Sequence, residues 1–156
     1  MGAIKYRVLA LVASLALMVG CAGRSRVVIK TSAYVADVDT HMWSGLTTID
    51  IPIRDSVSRR DLSIFVKHQP QAKLDSIRVK IFTTAPDKTT HLDTITIPLN
   101  NNSKGRRGSA KINLRPYRNG VLWSQGGNYT ISVYPMSTIK GVEAVGVEMK
   151  TYIYKN

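Results

Sequence analysis

Hydrophobic and polar residues alternate with a period of two in successive stretches of the chain. In one of them, Ile49, Ile51 and Ile53 share one face, while Thr48 and Asp50 share the other. Such alternation is typical of a β-strand with one face against a core. The pattern recurs at Leu62/Ile64/Val66, Ile77/Val79/Ile81, Ile95/Ile97/Leu99, Ala110/Ile112/Leu114, Tyr129/Ile131/Val133 and Val145/Val147/Met149/Thr151/Ile153, and the run 27–34 predicts an eighth strand.

Turn-forming residues separate these stretches. Asn119-Gly120 predicts a tight turn because both residue types tolerate positive φ. Pro52 and Pro98 fall inside strand runs, where a missing N–H suits an edge strand or a strand end. The predicted turns are "APDK" at 85–88, "NNNSKG" at 100–105, "YRNG" at 117–120 and "SQGG" at 124–127.

No stretch has the apolar spacing of a helix, and no internal repeat is visible. About eight short antiparallel strands with frequent turns predict an all-β fold. We expect a single β-sandwich that is jelly-roll-like or immunoglobulin-like. The order of the strands within the sheets stays open.

The N-terminus has the layout of an export signal. Lys5 and Arg7 precede an apolar run at 8–19, which is too short for a confident membrane span of about 20 residues. Met18-Val19-Gly20-Cys21 then resembles a bacterial lipobox, in which cleavage precedes a lipid-modified cysteine; Met18 stands where leucine is usual. We predict a lipoprotein signal peptide at 1–20, a short tether at 21–26 and the β-sandwich domain at 27–156.

Lipidation of Cys21 is the expected modification, and it makes the membrane the first predicted partner. Two or more acyl chains hold a protein stably on a bilayer. The alternative is a buried or incidental cysteine in an uncleaved anchor. Cys21 is the single cysteine of the chain, so no disulfide framework supports the domain.

The mature chain is strongly basic. The sequence has 22 Lys and Arg against 10 Asp and Glu, and loss of Lys5 and Arg7 leaves a net charge of +10. This balance favours anionic partners, namely phosphate-bearing lipid or lipopolysaccharide, acidic glycans or an acidic protein face. Nucleic acid is not expected as a partner of an exported protein. The candidate anionic contact is the glycine-flanked loop with Lys104, Arg106 and Arg107; the alternative is a solvated turn that keeps an edge strand from pairing.

No catalytic motif is present. The sequence lacks a Gly-x-Ser-x-Gly elbow, a phosphate-binding glycine loop and a dinucleotide fingerprint. The two glutamates, Glu143 and Glu148, are five residues apart, so an unbroken strand places them on opposite faces. We therefore predict no enzymatic activity, no catalytic residues and no cofactor.

A metal site is not expected either. The three histidines, His41, His68 and His91, are far apart, and surface or loop positions are the favoured interpretation. Asp37 and Asp39 precede His41, and we interpret them as solvated polar residues rather than as ligands or a carboxylate pair.

Aromatic residues near predicted turns allow an alternative function. Trp43, Tyr117 and Trp123 lie there, and an exposed indole can stack on a sugar ring. With Trp43 and Trp123 as the candidate aromatic platform, the chain would be a glycan-binding β-sandwich lipoprotein module. The favoured interpretation of the two tryptophans is instead that they close the ends of the core.

Several segments, in order, resemble the gliding motility lipoprotein GldH family of the Bacteroidetes. The similar segments are the lipobox, Trp43 in "THMWSGLTTIDIPI", "RRDLSIFVKHQPQAKLDSIRVKIFTTAPD", "DTITIPL", the glycine-rich "NNSKGRRGS" and the C-terminal "GGNYTISVYPMSTIKGVEAVGVEMK". The last is the most specific, with Gly141 and Gly146 among Val142, Val145 and Val147. Two departures are the absence of a tyrosine in "PQAKLDS" and a more basic glycine-rich loop.

The resemblance implies a cell-envelope lipoprotein with a structural or interaction role in gliding motility and the associated type IX secretion machinery. Lipoproteins of this group that reach the cell surface commonly carry acidic residues just after the cysteine. Here "CAGRSRVVIK" has Arg24, Arg26 and Lys30, and no acid occurs before Asp37. We therefore expect the periplasmic face of the outer membrane. The tether at 21–26 spans at most about 20 Å, so the domain is expected close to the headgroups.

Overall fold

A computed structural model describes residues 26–72, 74–99 and 110–155. The predicted signal peptide and Cys21 lie outside the described residues, as do Lys104, Arg106, Arg107 and the predicted turn at 100–105. One compact unit is Ile29–Ile153. A second, small unit includes the first residues of the first strand, 26–28, and the last residues of the last strand, 154–155.

Every predicted strand is present, and the described residues contain no helix. Alternating and β-branched residues favour strands because their side chains pack well on a pleated surface. The strands are β1 (Arg26–Asp37), β2 (Thr47–Ile53), β3 (Arg59–His68), β4 (Ser76–Thr84), β5 (Thr90–Pro98), β6 (Lys111–Leu122), β7 (Gly127–Pro135) and β8 (Val142–Lys155).

Two four-stranded sheets form the sandwich. Their strand orders are β1-β8-β3-β6 and β2-β7-β4-β5. β4 and β5 form a hairpin at the centre of the sequence of strands. Moving outward from it along the chain, β3 pairs with β6, β2 with β7 and β1 with β8, and successive pairs alternate between the two sheets. This arrangement is the jelly roll, so the strand order decides between the two kinds of sandwich that the sequence allowed.

The core lies between the inner faces of the sheets and consists mainly of isoleucine and valine. Ile51, Ile64, Ile81 and Ile131, one from each of four strands, are completely buried. Trp43, Trp123 and Tyr129 complete the cluster. Fully burying an isoleucine or valine side chain contributes about 1.5–3 kcal/mol, so these inner faces are the main source of stability.

Both strand prolines lie where a missing N–H is tolerated. β2 and β5 are edge strands of the same sheet; Pro52 lies near the end of β2 and Pro98 ends β5. The prediction of an edge or end position is confirmed for both.

The predicted turn at 117–120 is wrong, because β6 continues through it to Leu122. The register with β3 shifts here: Arg60 pairs with Val121 and Leu62 with Arg118, which leaves an extra residue on β6. Gly120 supplies the positive φ of 64°, and its N–H donates to Asp61 Oδ1 at 2.7 Å. Asn119-Gly120 is therefore part of a β-bulge rather than a hairpin turn.

Candidate functional site

The two tryptophans are core residues. Trp43 is 3% exposed, and its Nε1–H donates to Thr47 Oγ1 at 3.0 Å. Trp123 is 7% exposed and stacks on Tyr129 with ring centroids 4.3 Å apart. The interpretation that they close the core is confirmed. Their interpretation as an exposed aromatic platform is wrong, because both side chains are buried, and burial of such large apolar surfaces stabilises the fold.

Tyr117, the third aromatic residue, is half-buried and bonded. Its hydroxyl donates to Asp93 Oδ2 at 2.7 Å, and Arg118 donates to the same oxygen. These two hydrogen bonds, that of Tyr117 first, lower the pKa of Asp93, while burial raises the pKa of Tyr117. The three residues therefore form a polar link between β5 and β6.

His68 corrects the expectation of a surface or loop histidine. It ends β3 on the inner face and is buried. Its Nδ1 lies 2.9 Å from the Gln69 carbonyl oxygen, and its Nε2 lies 3.1 Å from Asn113 Oδ1. His41 and His91 are exposed. Among the described residues, no group of three or more His, Cys, Asp or Glu could hold a metal ion.

Asn113 also overturns the predicted orientation of β6. The alternation of Ile112 and Leu114 predicts that they face the core, yet they are 57% and 44% exposed. Asn113 is buried instead: its Oδ1 contacts His68 and its Nδ2–H donates to the Pro98 carbonyl oxygen at 3.0 Å. A buried amide needs its hydrogen bonds satisfied, so these contacts fix the inner face of β6 and turn the apolar side chains outward.

The two glutamates lie on one side of the sheet, contrary to the expectation for an unbroken strand. A register shift occurs where Lys67 pairs with Ala144 and His68 with Val142, so Glu143 is the extra residue. Glu143 Oε2 lies 2.9 Å from Lys67 Nζ on the outer face, where Glu148 also approaches Lys150 at 3.8 Å. Each carboxylate has a lysine partner, so the two glutamates form surface ion pairs.

The outward side of the β1-β8-β3-β6 sheet carries an apolar surface. Leu114 pairs with Phe65, which pairs on its other side with Gly146; Ile112 and Ala144 flank Lys67 in the adjacent row. We call Ile112, Leu114, Phe65, Ala144 and Gly146 the outer apolar face. Ile112 and Leu114 are the exposed members of this face, whereas Phe65, Ala144 and Gly146 are buried. The outward side of an antiparallel sheet is ordinarily polar, so two exposed apolar side chains beside a buried ring are a candidate protein-contact surface.

The missing side chain of Gly146 makes room for the Phe65 ring. A Cβ built on Gly146 would lie 2.1 Å from Phe65 Cζ and 2.7 Å from the Tyr34 carbonyl oxygen of β1. The Phe65 ring therefore lies across the space that a side chain at 146 would fill. This contact explains why Phe65 is buried although it points outward.

Charged residues border the outer apolar face. Besides the two lysine–glutamate pairs, Asp61 accepts the Gly120 N–H and the Tyr152 hydroxyl. The Tyr152 hydrogen bond is the main cause that lowers the pKa of Asp61, with the Gly120 N–H second. An apolar centre with a polar border has the composition of a protein–protein interface.

The sequence pattern could not reveal this face. The alternation of Leu62, Ile64 and Val66 places Phe65 on the outward side, but it does not show which residues of other strands lie beside it. The spacing of Ile112 and Leu114 predicts core positions for both. The polar residue Asn113 between them is the one sequence feature that hints at their outward orientation. Its buried partner His68 is 45 residues away, so the sequence alone does not show that Asn113 can be buried.

The comparisons with known proteins give no family for the chain. No protein-family model and no curated protein matches it. Structures of infectious bursal disease virus, strains Gx and Gt, are similar at 11% and 12% identity and TM-scores of 0.37 and 0.22. They align with 86% and 85% of this chain, which spans 33% and 43% of theirs. Within the described residues, no helix is long and apolar enough to cross a membrane.

Replacing Gly146 by alanine should destabilise the domain, because the new methyl group collides with Phe65 and with the fixed carbonyl of Tyr34. We expect a loss of about 1–3 kcal/mol in the free energy of unfolding, measured by urea denaturation. Gly45→Ala is the matched control, since nothing lies within 4 Å of a Cβ there. Adding Phe65→Leu to Gly146→Ala should recover part of the loss. Equal stability of the Gly146 and Gly45 variants would contradict the contact.

Replacing Trp43 by alanine should unfold the domain at much lower denaturant concentration. Removing a buried tryptophan costs about 3–5 kcal/mol, and Trp43→Phe should cost less because an aromatic ring stays in the core. The neighbouring Met42→Ala is the control, since Met42 is exposed. Similar midpoints for the Trp43→Ala and Met42→Ala proteins would show that the indole is not a core residue.

Proposed function

We propose that this protein is a membrane-anchored cell-envelope lipoprotein whose β-sandwich binds other envelope proteins. In this proposal its role is structural, within gliding motility and the associated type IX secretion machinery, and it performs no catalysis. The observation that carries the proposal is the outer apolar face. Its exposed side chains, Ile112 and Leu114, lie beside the buried Phe65 ring, and neighbouring exposed apolar side chains on a sheet are costly in water unless a partner covers them.

The membrane attachment rests on the sequence. Met18-Val19-Gly20-Cys21 follows a basic start and an apolar run, and the chain has no other cysteine. An acylated cysteine places the following residues at the membrane surface. The basic residues that follow it support the periplasmic side of the outer membrane.

The GldH resemblance supports the same assignment from another part of the chain. Its most specific segment includes Gly146, and Gly146 lies under the Phe65 ring in the outer apolar face. The residues that carry the resemblance therefore include part of the proposed contact surface. The glycan-binding alternative depended on Trp43 and Trp123, and their burial leaves it without a platform.

Metabolic labelling with an acyl analogue tests the anchor. In the native host, the wild-type protein should incorporate the label and the Cys21→Ser protein should not, because the thiol is the attachment atom. Labelled protein should also stay with the membrane fraction after high salt, which removes proteins held by charge alone. Equal labelling of both proteins would defeat the lipoprotein assignment.

Crosslinking in native membranes tests the contact surface. The double substitution Ile112→Ser and Leu114→Ser should reduce crosslinked envelope partners strongly, while the stability changes by no more than about 0.5 kcal/mol, since both side chains are exposed. Leu92→Ser is the matched control, because Leu92 is equally exposed on β5 of the other sheet. Loss of the same partners in both proteins, or in neither, would contradict a role for the outer apolar face.

A further inference from the structure

A cationic cavity lies on the inner side of the β1-β8-β3-β6 sheet. This cavity of about 300 Å³ opens between β1, β8 and β3 on one side and the end of β2 on the other. Lys30, Arg54 and Arg60 line it together with one acid, Asp55. The hydroxyl-bearing Ser32 and Thr151 also face it, so its wall is cationic and rich in hydrogen-bond donors.

Arg60 is the unusual residue of this cavity. It is 3% exposed, and its two terminal nitrogens donate to the carbonyl oxygens of Ser58 and Asp55. Its Nε–H has no hydrogen-bond partner in the described structure. A buried cation is costly unless an opposite charge neutralises it.

Asp55 neutralises Arg60 only in part. Its Oδ2 is 3.7 Å from Arg60, and the carboxylate is 42% exposed. Its Oδ1 already accepts the N–H groups of Val57 at 2.8 Å and Ser58 at 3.2 Å. One carboxylate therefore faces three cations, and neither Lys30 nor Arg54 makes an ion pair with any residue that the structure describes.

The cavity beside Trp123 shows the contrast. It has a similar volume, but Arg118 pairs there with Asp93, and Asp87 accepts from Gln125 and Thr89. The positive charge of Arg118 is therefore neutralised by an ion pair within the protein. The cavity at Arg60 is left with an excess of positive charge.

We propose that the Arg60 cavity binds a phosphate-type oxyanion. Lys30 and Arg54 supply mobile cations at its opening, Arg60 supplies fixed positive charge from the wall, and the hydroxyls of Ser32 and Thr151 donate hydrogen bonds. The Arg60 Nε–H is buried away from solvent, so Arg60 attracts the anion mainly through the electrostatic potential of its charge. The site depends on residues 30–153 alone, and it stands whether or not Cys21 is acylated.

The phosphate group could belong to a lipid headgroup, to lipopolysaccharide or to a free anion. Lys30 lies nine residues after Cys21 in the sequence, which allows at most about 32 Å between them. A headgroup is therefore within reach of an anchored chain. The experiment separates this source from free phosphate.

Binding of inorganic phosphate to the full-length protein in a nonionic detergent is measured first, by calorimetry at constant ionic strength. The double substitution Lys30→Gln and Arg54→Gln should weaken binding roughly tenfold. Asp55→Asn should tighten it, because the amide keeps an oxygen for the Val57 and Ser58 N–H groups and loses the negative charge. Arg78→Gln with Lys80→Gln, on β4 of the other sheet, removes the same charge and should leave binding unchanged.

The same titration is then repeated with the protein in vesicles of phosphatidylcholine, with and without phosphatidic acid. If phosphatidic acid weakens phosphate binding more in the wild-type protein than in the Lys30 and Arg54 variant, a headgroup is an occupant, because repulsion of phosphate by an anionic surface affects both proteins equally. An equal effect on both proteins identifies a free anion. The proposal is overturned if the wild-type protein binds no phosphate, or if the control pair weakens binding as much as the Lys30 and Arg54 pair. Labelling of Cys21 is independent of these results, so the anchor and the site can fail separately.

Discussion

Burial of isoleucine and valine between two sheets is the interaction on which the rest of this protein depends. The chain has one cysteine, so no disulfide within it holds the sheets together. The free energy of burying the inner faces must exceed the conformational entropy lost by the backbone and side chains. Ile51, Ile64, Ile81 and Ile131 are completely buried. Because these inner faces supply most of the stability, the outer faces can differ in composition without loss of the fold.

The sequence predicts those features of the fold that depend on neighbouring residues, and it fails where contacts between distant strands decide. Alternation is local, and it located every strand because each one needs an apolar face. The same local signal failed on β6, where the contact between Asn113 and His68 decides which side chains point inward. It failed again at Asn119-Gly120, whose backbone preference for positive φ suits a bulge as well as a turn. Both outcomes depend on β3, a strand far away in the sequence.

The candidate surfaces were harder to predict than the strands for the same reason. The outer apolar face exists because Phe65, Leu114 and Gly146 come into one row through pairing between three strands. The cavity at Arg60 joins residues from the beginning, middle and end of the chain. No short motif contains either arrangement. The proposal for Cys21 differs because it depends on one contiguous segment of the sequence and on no contact between distant strands.

The two surfaces use opposite sides of one sheet. The outer apolar face lies on the outward side of β3, β6 and β8, while Arg60 and Thr151 face the interior of the sandwich. A protein partner and a phosphate group could therefore be bound at the same time without competing for atoms. Because β3 and β8 contribute to both, substitutions that shift the register of these strands would disturb both surfaces together.

The position of β1 at the edge of its sheet has a mechanical consequence. Its hydrogen-bonded neighbour is β8, and in the strand order it has none on the other side. If the chain is held by Cys21, any pull between the membrane and a bound partner enters the domain through β1. That load is carried first by a single line of hydrogen bonds to β8, then by the β8–β3 pairing behind it. The strength of the attachment under tension would thus be set by the last strand of the chain.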